Sequence, residues 1–434
     1  MDNLKPIAST ARVTLDLPPS CVQFCPSDDR FFVVGTYNLE KDSAQTRSVV
    51  AVDQNSHEEK DLTFSAPQSR NGSLLLFSID GSNLNLVQTE LQPSALLDLR
   101  FNRIYAGKQS ILAVVSSTGS LSIYGLDPQR SPALRQLATS RCEDLGEEVL
   151  FLQCNWHPSL SNTIAVTTST GLARLLYLDA SWRIDGWTDL GIQNSLEAWS
   201  INLADSDNQD QDNAARSTMV YCGGDDSTLR YISCSWPKDA DKTEVHMAYS
   251  PVSIRGQHNA GVTAILPLPC RTPEGGRIVL SGSYDDHLRV FAIHDLHESY
   301  GVKKVRLLCE INLGGGVWRL NLIDVHCSES STAAITEIRV LASCMHAGAR
   351  IVTISTCDGQ GWEISVLGRF EEHESMNYAS DFIKASQGRG LSPTVKTDAL
   401  RRAGKTSTKG DNYLVNRPSR IFYRPSWAGN PSEA

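Results

Sequence analysis

Apolar and polar residues along this chain fall into short runs with the period of a strand, separated by compact polar turns. The clearest run is 278–293, which reads Ile-Val-Leu-Ser-Gly-Ser-Tyr-Asp-Asp-His-Leu-Arg-Val-Phe-Ala-Ile. Residues 278–280 are apolar, 283–287 carry turn chemistry, and Leu288, Val290 and Ala292 alternate with Arg289 and Phe291. The pattern predicts a strand, a tight turn and a second strand. Asp285, three residues before Leu288, marks the register. The same register recurs at Asp226 before Leu229, and Thr118, Thr170, Asn71 and His346 take the marker position in four further hairpins. All six side chains can hydrogen-bond to backbone, which is what holds such a turn. A short apolar run, expected as an outer strand, precedes each hairpin at 22–25, 95–101, 149–157, 198–203, 262–266 and 317–323.

Recurrence at a fixed register is the mark of a repeat fold. The spacing of roughly 47 to 61 residues exceeds the ~40–45 of a compact WD repeat, and the excess falls in polar insertions at 40–68 and 205–217. The expected fold is all-β: a seven-bladed WD40 β-propeller with an irregular last blade. Six blades are legible. A seventh begins near 374–382, 384–411 reads as loop or disorder, and 412–415 and 420–424 can supply closing strands. A ring needs a last blade because open sheet edges are costly and adhesive. The expected division is a propeller over 1–385 and an irregular C-terminal segment over 386–434.

Charge and cysteine usage narrow the partners. The formal net charge of -9 disfavours a nucleic-acid partner, which needs a basic face. It suits a cationic ligand or a basic protein surface. The 11 cysteines are scattered without a C-x-x-C pair, so no metal site is expected, and a reducing compartment is. The first seventeen residues lack a basic segment followed by an apolar one, and no apolar run approaches the roughly 18 residues of a membrane span. A cytoplasmic monomer without a cofactor is the expectation. No G-x-S-x-G elbow, P-loop, H-E-x-x-H or Rossmann glycine pattern is present, and the residue patterns alone favour a non-catalytic interaction protein.

Several local features exceed what a generic blade needs. Gly314, Gly315 and Gly316 precede Val-Trp318-Arg. Three glycines let backbone pass close to a neighbour or a ligand, and Trp318 can pack a blade interface or wall a central pocket. Glu197 and Trp199 set an acid beside an aromatic at the start of the fourth blade. Asp226 and Asp285 fit structural turn acids. His287 ends its turn and His346 stands where Asp is usual, so each can hold a turn or act as a base near neutral pH. His373 beside Glu374 is a further acid–base pair or a solvated strand entry.

Taken in order, Glu-Ala-Trp at 197–199, Gly-Gly-Asp-Asp at 223–226, Ser-Gly-Ser-Tyr-Asp-Asp-His at 281–287, Gly-Gly-Gly-Val-Trp-Arg at 314–319, Cys-Met-His-Ala-Gly at 344–348 and His-Glu-Ser-Met-Asn-Tyr at 373–378 resemble the diphthine methyltransferase family, better described as diphthine methylesterases. The resemblance spans roughly residues 20 to 382 and departs at the C-terminal end, where a clear closing blade is expected. It implies hydrolysis of the methyl ester of methylated diphthine on elongation factor 2, giving diphthine and methanol. It implies an acidic, aromatic mouth for the substrate's trimethylammonium, with Glu197, Trp199, Tyr284 and Trp318 as its candidates. His287 or His346 is the candidate base, Asp285 or Asp226 the orienting carboxylate, and the amides of Gly314, Gly315 and Gly316 the candidate oxyanion donors. His373 is a candidate for substrate binding. The alternative is a non-catalytic WD40 adaptor such as a ubiquitin-ligase substrate receptor.

Overall fold

The computed structural model describes residues 6–39, 70–206, 216–236, 245–247, 249–296, 303–327, 335–356, 361–373, 375–383 and 421–422. All regular structure among them is β-strand. Six antiparallel sheets follow one another along the chain. The first blade comprises Pro19–Phe24, Phe31–Thr36, Arg70–Asp80 and Asn83–Gln92, with Asn38–Leu39 added against the third of these. The second comprises Leu96–Phe101, Ser110–Ser116, Ser120–Leu126 and Leu134–Arg141. Phe151–Trp156, Thr163–Thr168, Leu172–Leu178 and Ile184–Gln193 form the third. Ser200–Asp205, Arg216–Gly223, Leu229–Trp236 and Val252–Ile254 form the fourth. The fifth is Val262–Arg271, Arg277–Ser283, His287–Ile293 and Val305–Asn312, and the sixth Arg319–Cys327, Ile335–Ser343, Ala349–Thr356 and Trp362–Phe370.

The expected hairpins are therefore present, but the run before each one lies at the axis, not outside. First strands of successive blades touch one another. Fourth strands carry the alternation of exposed and covered residues that solvent imposes on one face, as in Ile184–Gln193. Middle strands are mostly apolar and covered on both faces by neighbouring blades, and Ser110–Ser116 is buried at every position. The core is a set of seams between blades. Leu99, Leu112 and Val114 pack on Val33, Leu74 and Leu76 between the first and second blades, and Ile278, Leu280 and Val290 pack on Val340, Ala342 and Val352 between the fifth and sixth. Each fully buried Leu, Ile or Val in these seams contributes roughly 1.5–3 kcal/mol.

Two further expectations change. Asn71 is not a turn residue: it lies inside Arg70–Asp80, and its Oδ1 accepts from Asn38 Nδ2 at 3.0 Å. The first blade's turn, like the 40–68 insertion, falls in residues 40–69, outside the described residues. Where a seventh blade would close the ring, residues 375–383 form no strand and make a single bridge, Asn377 to Met345. Asn321 of the sixth blade donates Nδ2–H to Ser380 O at 2.6 Å, and Phe24 of the first donates N–H to Asp381 Oδ2 at 2.8 Å. Phe382 and Ile7 pack on the sixth blade, while Ile383, Val13 and Leu15 pack on the first. Ile421–Phe422 pairs in parallel with Val13–Thr14, whereas 384–411 and 412–415 lie outside the described residues.

Candidate functional site

The turns at one end of the blades share a construction that separates structural from available acids. The second or third residue of the third strand is arginine in four consecutive blades: Arg174, Arg230, Arg289 and Arg350, all buried. A buried guanidinium needs a carboxylate. In the fourth blade Asp226 supplies it, with Arg230 Nη2 to Oδ2 at 2.7 Å, and also accepts from the N–H groups of Ser195 and Thr228, both at 3.1 Å. In the fifth, Asp285 binds Arg289 Nη2 at 2.8 Å, Asn259 N at 2.9 Å and His287 N at 3.1 Å. Burial alone would raise the Asp285 pKa, but these donors and the Arg289 charge outweigh it and bring it to about 2. Asp226 is lowered too: burial opposes, and Arg230 and the Ser195 amide prevail. Where the marker is not an acid, the arginine turns elsewhere. Arg174 pairs with Asp144 and Asp189, and Arg350 with Glu371 at 2.7 Å, leaving His346 exposed.

The residue before each marker faces the axis. In the second and third blades it is Ser117 or Ser169, whose Oγ accepts an N–H from its own blade's first strand, that of Ala95 at 3.1 Å or Leu150 at 3.0 Å. In the next three blades that place belongs to Asp225, Tyr284 and Met345. A second position changes in step. In the matching runs Ala198-Trp199-Ser200, Val262-Thr263-Ala264 and Val317-Trp318-Arg319, at the start of the innermost strands, the middle residue is Trp199 in the fourth blade, Thr263 in the fifth and Trp318 in the sixth. Thr263 is small and buried, its hydroxyl donating to Val317 O at 2.6 Å, and the two indoles have ring centroids 5.3 Å apart. Tyr284 stands 5.7 Å from Trp318, and Tyr378, from the 375–383 segment, stands 5.3 Å from it on another side.

Trp199, Tyr284 and Tyr378 thus gather around Trp318 at the turn end of the blades, forming one aromatic mouth. Two half-exposed carboxylates border it, Glu197 and Asp225, and neither makes an ion pair among the described residues. Burial holds the Asp225 pKa above its ordinary value, and the charges of Glu197 and Asp226 add to that. The Trp199 indole N–H is buried without a hydrogen bond of good geometry, yet it lies near enough to Asp225 to favour its charged form. Burial raises the Tyr284 hydroxyl, with Asp225, Tyr378 and Glu197 contributing. Below the mouth, Arg319 reaches across from the sixth blade to Asp98 of the second, Nη2 to Oδ1 2.6 Å, both buried.

Of the residues expected from sequence, Trp199, Tyr284, Trp318 and Glu197 come together. Asp226 and Asp285 are engaged by arginine. His287 Nδ1 lies 2.6 Å from the Asp285 carbonyl oxygen, which can only accept, so Nδ1 carries the proton and Nε2 is left as an acceptor. Its distance to the Asp285 carboxylate is longer, 3.6 Å, so the carbonyl orients the ring. The glycines serve close passage: Gly314 adopts φ +83 and gives its N–H to Asn312 Oδ1 at 2.8 Å, a Cβ on Gly315 would meet the backbone of Ala347, and one on Gly316 would meet Met345 and Tyr284. His373 stands edge-on to Phe370 at 4.8 Å and lines a cavity of about 30 Å³ with Ser20, Cys21 and Tyr378. Burial lowers its pKa to about 4, with Glu372 opposing. Glu374 lies outside the described residues. Tyr378, Asp225 and the arginine series were not anticipated as site features. Apolar-then-Arg after each turn, at 173–174, 229–230, 288–289 and 349–350, was the available signal.

No family model matches the chain. Diphthine methyltransferase of Mus musculus is 25% identical over 388 residues, 85% of this chain and 68% of the relative. That of Schizosaccharomyces pombe is 28% identical, covering 72% of this chain and 79% of the relative, and that of Saccharomyces cerevisiae 23%, covering 88% and 95%. The chain is similar to the diphthine methyltransferases. Among solved structures, Sqt1 of Saccharomyces cerevisiae aligns with a TM-score of 0.50 at 11% identity, over 89% of this chain and 94% of that one. Sqt1 of Chaetomium thermophilum aligns with a TM-score of 0.51 at 12%, over 87% and 94%. These likenesses concern the fold alone.

Proposed function

We propose that the chain acts in diphthamide biosynthesis by hydrolysing the methyl ester of methylated diphthine on elongation factor 2, releasing methanol. The relatives' shared name supports the pathway, and the four-ring mouth with its unpaired carboxylates carries the reading. A trimethylammonium is a fixed cation that cannot donate a hydrogen bond, so it is held by π faces and by Coulomb attraction. Trp199, Tyr284, Trp318 and Tyr378 supply the faces; Glu197 and Asp225 supply the charge.

Hydrolysis then needs a water held near the ester carbonyl and a group to take its proton. His287, with Nε2 as acceptor, is the proposed base, and His346 the alternative. Water adds to the carbonyl carbon, its proton passes to the base, and the methoxide leaves with that proton as methanol. The carboxylate remains on the protein.

Purified chain incubated with methylated elongation factor 2 should release methanol, with a mass loss of one methylene unit from the substrate. His287→Ala and His346→Ala, tested singly, locate the base. Unchanged turnover in both removes the histidine proposal, and binding without any mass change favours the adaptor reading instead.

A further inference from the structure

We infer that the blade end carrying the aromatic mouth is the docking face for a basic loop of the partner protein, with Leu196, Met376 and Asp286 forming its rim. The inference rests on the proposed reaction and adds which end of the propeller meets the partner and by what chemistry.

The charge on this end is asymmetric in a way the net charge does not reveal. Arg174, Arg230, Arg289, Arg319 and Arg350 are all buried and all paired. Their positive charge is spent inside the blades. Glu197, Asp225 and Asp286 are half-exposed and make no ion pair among the described residues. Arg255, exposed in the 255–261 loop, stands outside this pattern. At the opposite end, exposed Arg30, Arg130 and Arg306 pair with Asp28, Asp127 and Glu274. A mouth ringed by unpaired acids attracts cationic segments and speeds their encounter.

Apolar surface is exposed at the same place. Leu196 is 52% exposed, Met376 43% and Tyr284 36%; Leu196 stands three residues before Trp199 and Met376 two before Tyr378. Leu196 directly precedes Glu197, and Asp286 follows Tyr284 by two residues in a left-handed conformation, φ 66. A non-glycine residue held at that φ is uncommon and fixes where its carboxylate stands. An apolar contact beside unpaired acids fits a loop with basic residues and an apolar flank, whose modified side chain enters the mouth.

The test separates docking from chemistry. Leu196→Asn/Asp286→Asn alters the rim without touching the rings, Glu197, Asp225 or the histidines, and Asn tolerates the backbone at 286. Arg130→Ala at the opposite end is the control. Two substrates are compared: full-length methylated elongation factor 2, and a free trimethylated amino-acid methyl ester that has no loop to dock. The rim variant should raise KM for the protein substrate about tenfold and flatten its dependence on salt, with kcat and small-ester turnover unchanged. An unchanged KM, or an equal rise in the Arg130 control, overturns the inference. If the wild-type chain releases methanol from neither substrate, the reaction fails, and docking is then read from the Kd of elongation factor 2 with the same variants: an unweakened Kd in the rim variant overturns it.

Discussion

Replacing Asp285 by Asn should destabilise the fold by about 2–4 kcal/mol at neutral pH, and the loss should depend on pH in a defined direction. The Asp285 side chain is 7% exposed and Arg289 3%, so solvent screens the pair little. The Asp285 pKa falls from an ordinary 3.8 to about 2 in the fold. That difference corresponds to roughly 2 kcal/mol of stability above the unfolded pKa. Asn keeps one acceptor oxygen and turns an amide NH2 toward donors, which costs about 1–2 kcal/mol more. Arg289 keeps Glu310 at 2.9 Å, so the change stays below the full cost of an orphaned buried charge.

Because the folded pKa lies below the unfolded one, the carboxylate's contribution is complete above about pH 5 and is lost as pH falls toward 2. The stability gap between wild type and Asp285→Asn should therefore be constant from pH 7 to pH 5 and narrow by about 1 kcal/mol by pH 3. Urea unfolding followed by tryptophan fluorescence, at constant slope, measures the gap at each pH. Asp286→Asn, one residue on but with no ion pair among the described residues, should give a gap near zero. A loss below about 0.5 kcal/mol at pH 7, or a gap that does not narrow by pH 3, refutes the assignment of Asp285 as the arginine's anchor.

Trp318 touches three of the other rings, so Trp318→Ala should remove most turnover of both the protein and the small ester, with Trp318→Phe retaining more; equal activity in all three proteins refutes the cup. Asp225 must be ionised to attract a cation, and burial raises its pKa, so the acidic limb of kcat/KM should lie above the ordinary carboxylate range. Asp225→Asn should lower kcat/KM and remove that limb, and a limb that survives the substitution assigns it to another group.

How much could be read from the sequence follows from what each signal depends on. Hairpins were legible because alternation and turn chemistry are local, and 278–293 folds as written. The place of the preceding strand was not, since 198–203 looks the same at an inner or an outer edge; blade packing decides it. Asn71 imitates a turn residue by its side chain alone, and its pairing partner Asn38 is 33 residues away. Trp199, Tyr284 and Trp318 were singled out because acids and glycines stood beside them. Tyr378 belongs to a segment with no ladder of its own, so nothing local marked its approach to Trp318. His346 was weighed as a turn holder because it replaces Asp, but its arginine had already found Glu371.

That last exchange shows how the repeat accommodates a site. In the third to sixth blades the turn must satisfy one buried arginine, and it can do so with a turn acid, as in the fourth and fifth blades, or with acids from neighbouring loops and strands, as in the third and sixth. Once the arginine is satisfied, the residue before the marker is under no such demand. Serine there closes the second and third blades by capping the first strand's backbone. Asp225, Tyr284 and Met345 in the same place leave that cap unmade and put charge, ring and sulfur at the axis. The two tryptophans act in the same way on alternate blades, with small Thr263 at the matching place in the blade between them. The mouth is therefore built from positions that the scaffold leaves unconstrained, and this predicts a clean division between variants. Substitutions at Arg174, Arg230, Arg289 and Arg350 should lower stability before they alter turnover. Substitutions at Trp199, Asp225, Tyr284 and Trp318 should do the reverse.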